Sequence, residues 1–296
     1  MAESARAKSR AKLILKAERA FGAGGVIGAV DALSVGPTAP VEPAQLGAVP
    51  ANARRAIADS LRTPPRAVAK PVQVTPAAPA PAQAGDVLSG FGPNRPPFES
   101  APHPREKKIE LLQALDVNEV KGCTKCILHK TRTQTVFGEG DADAPLMFIG
   151  EGPGENEDLT GRPFVGKAGQ LLDKMIVAMG LSRQKVFIAN IVKCRPPNNR
   201  VPAPDEVSCC TPYLERQIEL IRPRVIVTLG LPATQYMLQS KNSMSRMRGL
   251  WHAWRGIKLM PTYHPAYVLR QYTEQTRKAV WSDLQQVMVE LGLKIT

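Results

Sequence analysis

The sequence predicts an α/β protein: a parallel sheet with helices packed on both of its faces. Three observations lead there. Short apolar runs recur at residues 146–149, 185–192 and 225–229, each apolar almost throughout rather than alternating. Between them lie stretches with apolar residues at helical spacing. Strands that are apolar on both sides of the pleat belong to sheets buried on both faces, and strand–helix alternation makes such sheets parallel.

Residues 1–104 stand apart from this pattern. They hold 15 of the 27 prolines and many alanines. Residues 6–21 can form a short basic amphipathic helix with a poor apolar face. From residue 37 to 104 the composition is that of a Pro/Ala-rich linker, which buries too little apolar surface to order itself. We read residues 1–104 as a disordered basic extension and residues 105–296 as the folded domain.

Lys and Arg number 39 against 26 Asp and Glu, a net charge of +13, so an anionic partner is expected. No apolar run approaches the roughly 20 residues needed to span a bilayer, which favours nucleic acid over membrane. Residues 1–20 lack the apolar segment of an export signal. With no export signal, five cysteines point to metal binding or a free thiol rather than a disulfide framework.

The elements follow in order. Residues 106–120 carry Ile109, Leu111, Leu112, Leu115 and Val117 at helical spacing, and Gly122 ends that helix. Cys123 and Cys126 come next, at C-x2-C spacing. The first strand, 146–149, runs into Gly150-Glu151-Gly152-Pro153-Gly154, where three glycines allow a sharp turn and a close approach to a ligand. An acidic run, 155–158, and Phe164 follow before a helix that starts near Gly166. This loop is no dinucleotide or phosphate loop. The third glycine of the first pattern falls on Glu155, Gly166-Lys167 is followed by Ala168, and the loop's carboxylates repel a phosphate.

The second strand, 185–192, is apolar except for Asn190 after its leading lysine. A rigid basic loop follows, with Lys193, Cys194, Arg195 and Arg200. Pro204, Asp205 and Glu206 then start a helix in the way the helix dipole favours. It carries Cys209 and Cys210 and runs to about Ile221. The third strand is residues 225–229, with a short helix at 232–238. Residues 243–249 read as basic and irregular. A run at 259–262 leads into His264-Pro265-Ala266-Tyr267, and a last amphipathic helix spans residues 274–291.

Four thiolates can bind either zinc or a [4Fe–4S] cluster. A structural zinc ribbon usually has a second close C-x2-C pair, which this chain lacks. Neighbouring helical residues point about 100° apart, so one of Cys209 and Cys210 is expected to ligate and the other not.

Three stretches, GEGPGENEDLTGRPFVGKAGQLL, NIVKCRPPNNRVPAPDE and HPAYVLR, closely resemble the motifs of the family-4, iron–sulfur uracil-DNA glycosylases. The resemblance covers roughly residues 105–290 in order and spacing. It implies an α/β/α sandwich with a short four-stranded parallel sheet. It implies a [4Fe–4S] cluster on Cys123, Cys126, Cys194 and a fourth cysteine sixteen residues after the third, which is Cys210. The activity implied is hydrolysis of the N-glycosidic bond of uracil in single- or double-stranded DNA, in base-excision repair, by a monomer at the nucleoid of a bacterial or archaeal cytoplasm. The extension would then serve a repair or replication partner.

The resemblance also implies site roles. The flipped base stacks on Phe164, and Asn190 pairs with its amide edge. His264 donates to uracil O2, helped by amides of Gly150, Gly152 and Gly154. Glu157 lies near the pocket and helps exclude thymine's methyl. Better-studied relatives carry an aspartate beside the attacking water where this chain has Gly152, so Glu151, or Asn190 with backbone, would orient the water. Lys193, Arg195, Arg200, Arg246, Arg248 and Arg270 would clamp phosphates. Tyr267, Val268 and Leu269 would form an apolar wedge. Uracil-trapping relatives carry a basic, His-bearing insertion after the second motif, absent here. A non-catalytic or covalent binder and a cluster-bearing polymerase accessory are the competing readings.

Overall fold

The computed structural model describes residues 92–295. The basic helix and the Pro/Ala-rich stretch expected within residues 1–91 lie outside the described residues. Four strands form the centre of the sheet: β2 (Leu146–Gly150), β3 (Phe187–Asn190), β4 (Val225–Leu229) and β6 (Ile257–Thr262). All pair in parallel. Two short antiparallel strands, β1 (Glu139–Gly140) and β5 (His252–Trp254), add the edges, giving the order β1-β3-β2-β4-β6-β5. The expected four parallel strands are present within six. The edge strands are too short to show a periodicity of their own.

The pleat sorts the core. Leu146 and Phe148 of β2 face one side with Val225, Val227 and Met260. There α3 (Lys167–Ala178) contributes Leu171, Leu172, Met175 and Ile176, and α8 (Glu274–Leu291) contributes Val280, Trp281 and Leu284. Met147 and Ile149 face the other side, against Leu112 and Leu115 of α1 (Arg105–Leu115) and Val207, Leu214 and Ile218 of α4 (Pro204–Ile221). Three layers result, because a sheet apolar on both sides must be covered on both.

Local chemistry sets the helix ends. Glu206 reaches back to the Ala203 N–H (2.7 Å), and Pro204 takes the first helical position of α4. Thr273 caps α8 through the Thr276 N–H (3.1 Å), and Gly292 ends it in the left-handed region. The acidic run, read as loop, forms the short helix α2 (Glu155–Thr160), where three carboxylates sit at the favourable end of the dipole. Leu231–Leu238 forms α5. Met244–Met247 forms α6, one turn within the stretch read as irregular. Pro265–Arg270 forms α7.

Residues 92–104, which composition joins to the extension, lie on the domain. Phe98 packs on Trp254 with ring centroids 6.1 Å apart, and the Arg255 guanidinium covers the Phe98 ring at 3.8 Å. One aromatic side chain anchors a Pro-rich segment that has no periodicity of its own.

Candidate functional site

The parallel register brings the strand ends level, with Gly150 opposite Asn190 and Leu229 opposite Thr262. A cleft of about 830 Å³ opens over these carboxyl ends. Glu151, Phe164, Asn190, Gly230 and His264 line it.

Gly150 is bare because two side chains meet over it. A Cβ there would lie 2.4 Å from Asn190 Oδ1 and 2.6 Å from the Phe164 ring. Asn190 is 1% exposed, and its Oδ1 has no hydrogen-bond partner within the protein. Buried side-chain oxygens are nearly always paired, so this acceptor is exceptional.

Phe164 takes φ +53°, in the left-handed region. Arg183 holds it there. Its guanidinium donates to the carbonyls of Pro163 and Phe164, the latter at 3.1 Å, and to Asp173 at 2.8 Å. Nothing in the sequence pattern singles Arg183 out. The Phe164 and His264 ring centroids lie 5.6 Å apart.

His264 caps α7. Its Nδ1 accepts the Ala266 N–H at 3.0 Å, so in the neutral ring Nε2 carries the proton. Burial first, and then Arg270, push the imidazole down to about 4, against Glu157. The ring is therefore a neutral donor at pH 7. Gly230, with φ +91°, passes so close that a Cβ would stand 2.9 Å from the His264 Cβ.

Burial raises the Glu151 carboxyl above its ordinary range. At Gly152 a Cβ would come 2.9 Å from Val192 Cγ2. Glu157 lines the cleft, but its carboxylate accepts the N–H groups of Gly154 (3.1 Å), Val165 (2.8 Å) and Gly166 (3.0 Å). It ties the glycine turn to the loop bearing Phe164.

The expected phosphate clamp divides. Lys193 does not belong to it: the side chain is 1% exposed and bonded inside the protein. Burial lowers its ammonium to about 8, opposed by Cys210 and Asp116. Arg200 is exposed, but its guanidinium is engaged two-pronged by Glu206 at 2.6 and 2.8 Å. Arg248 grips the buried Asp283 and the Ala279 carbonyl (2.6 Å). Arg195 donates to Asn199 Oδ1 at 2.8 Å. Arg246 and Arg270 are exposed. Tyr267 and Leu269 are each 39% exposed, whereas Val268 points into the core.

All five cysteines, unpaired, line a second and much smaller cavity on the far side of β3's end. Three sulfurs each meet a donor. The Tyr213 hydroxyl reaches Cys123 at 3.4 Å, Arg132 Nη1 reaches Cys194 at 3.1 Å, and the Lys193 N–H reaches Cys210 at 3.1 Å. Cys209 does the reverse: its thiol donates to the Lys125 carbonyl at 3.3 Å. Donors converging on sulfur suit thiolates, while burial pushes the Cys210 thiol up to about 12. Among the described residues, no three His, Cys, Asp or Glu side chains draw together as tightly as a single metal ion requires. Thiol donors of this kind are the ligands of zinc and of iron–sulfur clusters alike.

Cleft and rim define an α/β protein whose site sets an aromatic face, an amide and an imidazole beside exposed arginines. The profile of the Uracil DNA glycosylase superfamily matches residues 137–285, and the chain belongs to that superfamily. It is 49% identical over 189 residues to the type-4 uracil-DNA glycosylase of Saccharolobus solfataricus, across 61% of this chain and 87% of that protein. The type-4 uracil-DNA glycosylase of Thermotoga maritima is 46% identical over 183 residues, across 61% of this chain and 93% of its own length. A type-5 uracil-DNA glycosylase of Pyrobaculum aerophilum is 32% identical over 144 residues, 43% of this chain and 63% of that protein.

Proposed function

We infer that the chain is a uracil-DNA glycosylase of the type-4 kind, an enzyme of DNA repair that releases uracil and leaves an abasic site. The observation that carries this reading is the buried, unpartnered Oδ1 of Asn190 beside the Phe164 ring. Uracil offers an N3–H to that oxygen and O4 to the amide nitrogen. Cytosine offers an unprotonated N3 and an amino group, a mismatch at both.

The base, flipped from the stack, lies on Phe164. As the bond from C1′ to N1 breaks, its electron pair passes into the uracil ring and charge gathers at O2. A neutral His264 donates from Nε2 to that oxygen without giving up its proton, and the Gly150–Gly154 amides assist. A water adds to the cationic C1′ and loses its proton to Glu151, whose raised proton affinity suits a base. Glu157, held by three backbone N–H groups, braces the cleft wall and would help exclude thymine's methyl.

Cys123, Cys126, Cys194 and Cys210 would hold a [4Fe–4S] cluster. Bound there, it would tie the loop after α1 to the loop after β3 and take no part in the hydrolysis. Arg195, Arg246 and Arg270 would meet the phosphates of single- or double-stranded DNA, and Tyr267 and Leu269 would fill the gap left by the base. The enzyme would act as a monomer at the nucleoid, its extension serving a repair or replication partner. No helix among the described residues is long and apolar enough to cross a membrane.

A gel assay on uracil-containing oligonucleotides tests the reading. Free uracil and an alkali-labile abasic strand are expected. A heat-stable adduct would make the chain a covalent trap, and a mobility shift without product would make it a binder.

A further inference from the structure

Lys193 stands between the cleft and the cysteines, and the proposed chemistry makes no use of it. Its Nζ donates to the backbone carbonyl of Asn190 at 3.0 Å and to Gln217 Oε1 at 2.6 Å. Gln217 is anchored in turn, donating to the Phe137 carbonyl at 2.9 Å. The backbone N–H of the same lysine donates to Cys210 Sγ at 3.1 Å. One residue thus holds the strand end that carries the base-reading amide and also a sulfur of the cage.

Charge strengthens the link. Both acceptors of the ammonium are neutral, and a buried charge needs a counter-charge. Lys193 lines the same small cavity as Cys194 and Cys210. Asp116 makes no ion pair with the ammonium; the carboxylate pairs with Lys121 at 3.8 Å instead. The two cysteines remain, and they bear negative charge when ligated.

We propose that Lys193 is a positioning residue that couples the cysteine cage to the base pocket, its ammonium fixed by the ligated sulfurs on one side and fixing the Asn190 strand end on the other. This rests on the reading that the cage holds an iron–sulfur cluster. A filled cage keeps the ammonium in place, and the ammonium keeps Asn190 in register with Phe164. An empty cage leaves a buried cation without its counter-charge, and the pocket slackens although its own residues are intact.

The test uses the full chain, purified anaerobically, as parent and as Lys193→Met. Iron and sulfide content, the midpoint potential of the cluster, affinity for free uracil by calorimetry, and KM and kcat on a uracil oligonucleotide are measured. Lys193→Met is expected to keep its iron and sulfide. It should bind free uracil about 10-fold more weakly, as for loss of an outer-shell partner, with KM rising more than kcat falls. Its midpoint potential should move negative, because a positive charge beside the cluster is gone. Full iron with parent-like uracil affinity overturns the proposal, as does an unchanged potential. Should Lys193→Met fail to fold, Gln217→Leu loosens the same ammonium and is expected to weaken uracil binding less, with iron intact; parent-like affinity there overturns the proposal equally. A parent protein without iron or sulfide would sink the cluster reading and the coupling with it, while excision by that protein would leave the glycosylase reading standing.

Discussion

The cleft and the cysteine cage flank the end of the same strand, β3, yet they are held in opposite ways. The cleft residues gather at strand ends, and two of them are fixed by near neighbours: His264 by the Ala266 N–H, Glu157 by the Gly154, Val165 and Gly166 N–H groups. The cage sulfurs come from segments some seventy residues apart, and their donors are drawn from three separate places: Arg132, Lys193 and Tyr213. A site built locally on a packed sheet is pre-organised by the fold. A site built from distant loops is only as ordered as whatever ties them together. Substitutions in the cleft should therefore remove rate and leave the fold, whereas substitutions in the cage should remove the bound group and slacken the loops.

The sharpest break is His264→Ala. Charge at uracil O2 develops only in the transition state, so single-turnover excision should fall about 10²–10³-fold, as for one lost oxyanion donor. The melting temperature should change little. Near-parent turnover would hand the leaving group to the loop amides alone. The pH dependence sharpens the same point. With an ordinary value of 6.5 and a folded value of about 4, His264 stays neutral and active across pH 5–8. The unfolded chain binds the proton first, so the parent loses stability as pH falls from about 6.5 towards 4, and His264→Gln loses less over that window.

Asn190→Asp comes next. A carboxylate accepts where the amide donated, so uracil excision should drop about 10²-fold or more while cytosine in DNA becomes a substrate. Both bases are measured in the same single-turnover assay, and an Asp variant as selective for uracil as the parent would remove Asn190 from base reading.

In the cage, Cys210→Ala should lose iron and Cys209→Ala should keep it, read by iron and sulfide analysis. The adjacent thiols differ in direction: one accepts from an N–H, the other donates to a carbonyl. Equal iron in both variants would show that this polarity does not mark the ligand.

Much of this was legible in the sequence where the signal was local. The helices Pro204–Ile221 and Glu274–Leu291 lie where proline, acids and apolar spacing put them, and the strand Val225–Leu229 is its apolar run. The glycine turn announces the cleft because only bare backbone lets Asn190 and Phe164 close over Gly150. What tertiary contact decides was not legible. Lys193 sits in a basic run and reads as a phosphate ligand, but Gln217, twenty-four residues on, draws it inside. Arg248 reads the same way until Asp283 is seen beneath it, and Arg183 has no motif at all. The acidic run became α2 because Gly154 and Glu157 close its first turn, a pairing whose residues were visible though its geometry was not.

The smallest expected effect on activity concerns two arginines that sequence treats alike. Arg270 is exposed at the cleft's edge. If it meets a phosphate, Arg270→Ala should weaken DNA binding by a similar factor for any sequence and reduce the slope of log affinity against log salt by about 1. Arg248 meets Asp283, whose carboxylate also accepts the Thr262 hydroxyl at 2.7 Å. Removing it leaves a buried carboxylate without its cation, which costs about 3–5 kcal/mol when a buried pair is broken from one side. Arg248→Ala should therefore lower the melting temperature while leaving the salt slope at the parent value, and Arg270→Ala should do the reverse. The pair separates charge that faces DNA from charge that holds the rim beside His264. A salt slope that fell in both variants would put Arg248 on the phosphates despite its partner, and the division of the rim drawn from burial and pairing would have to be withdrawn.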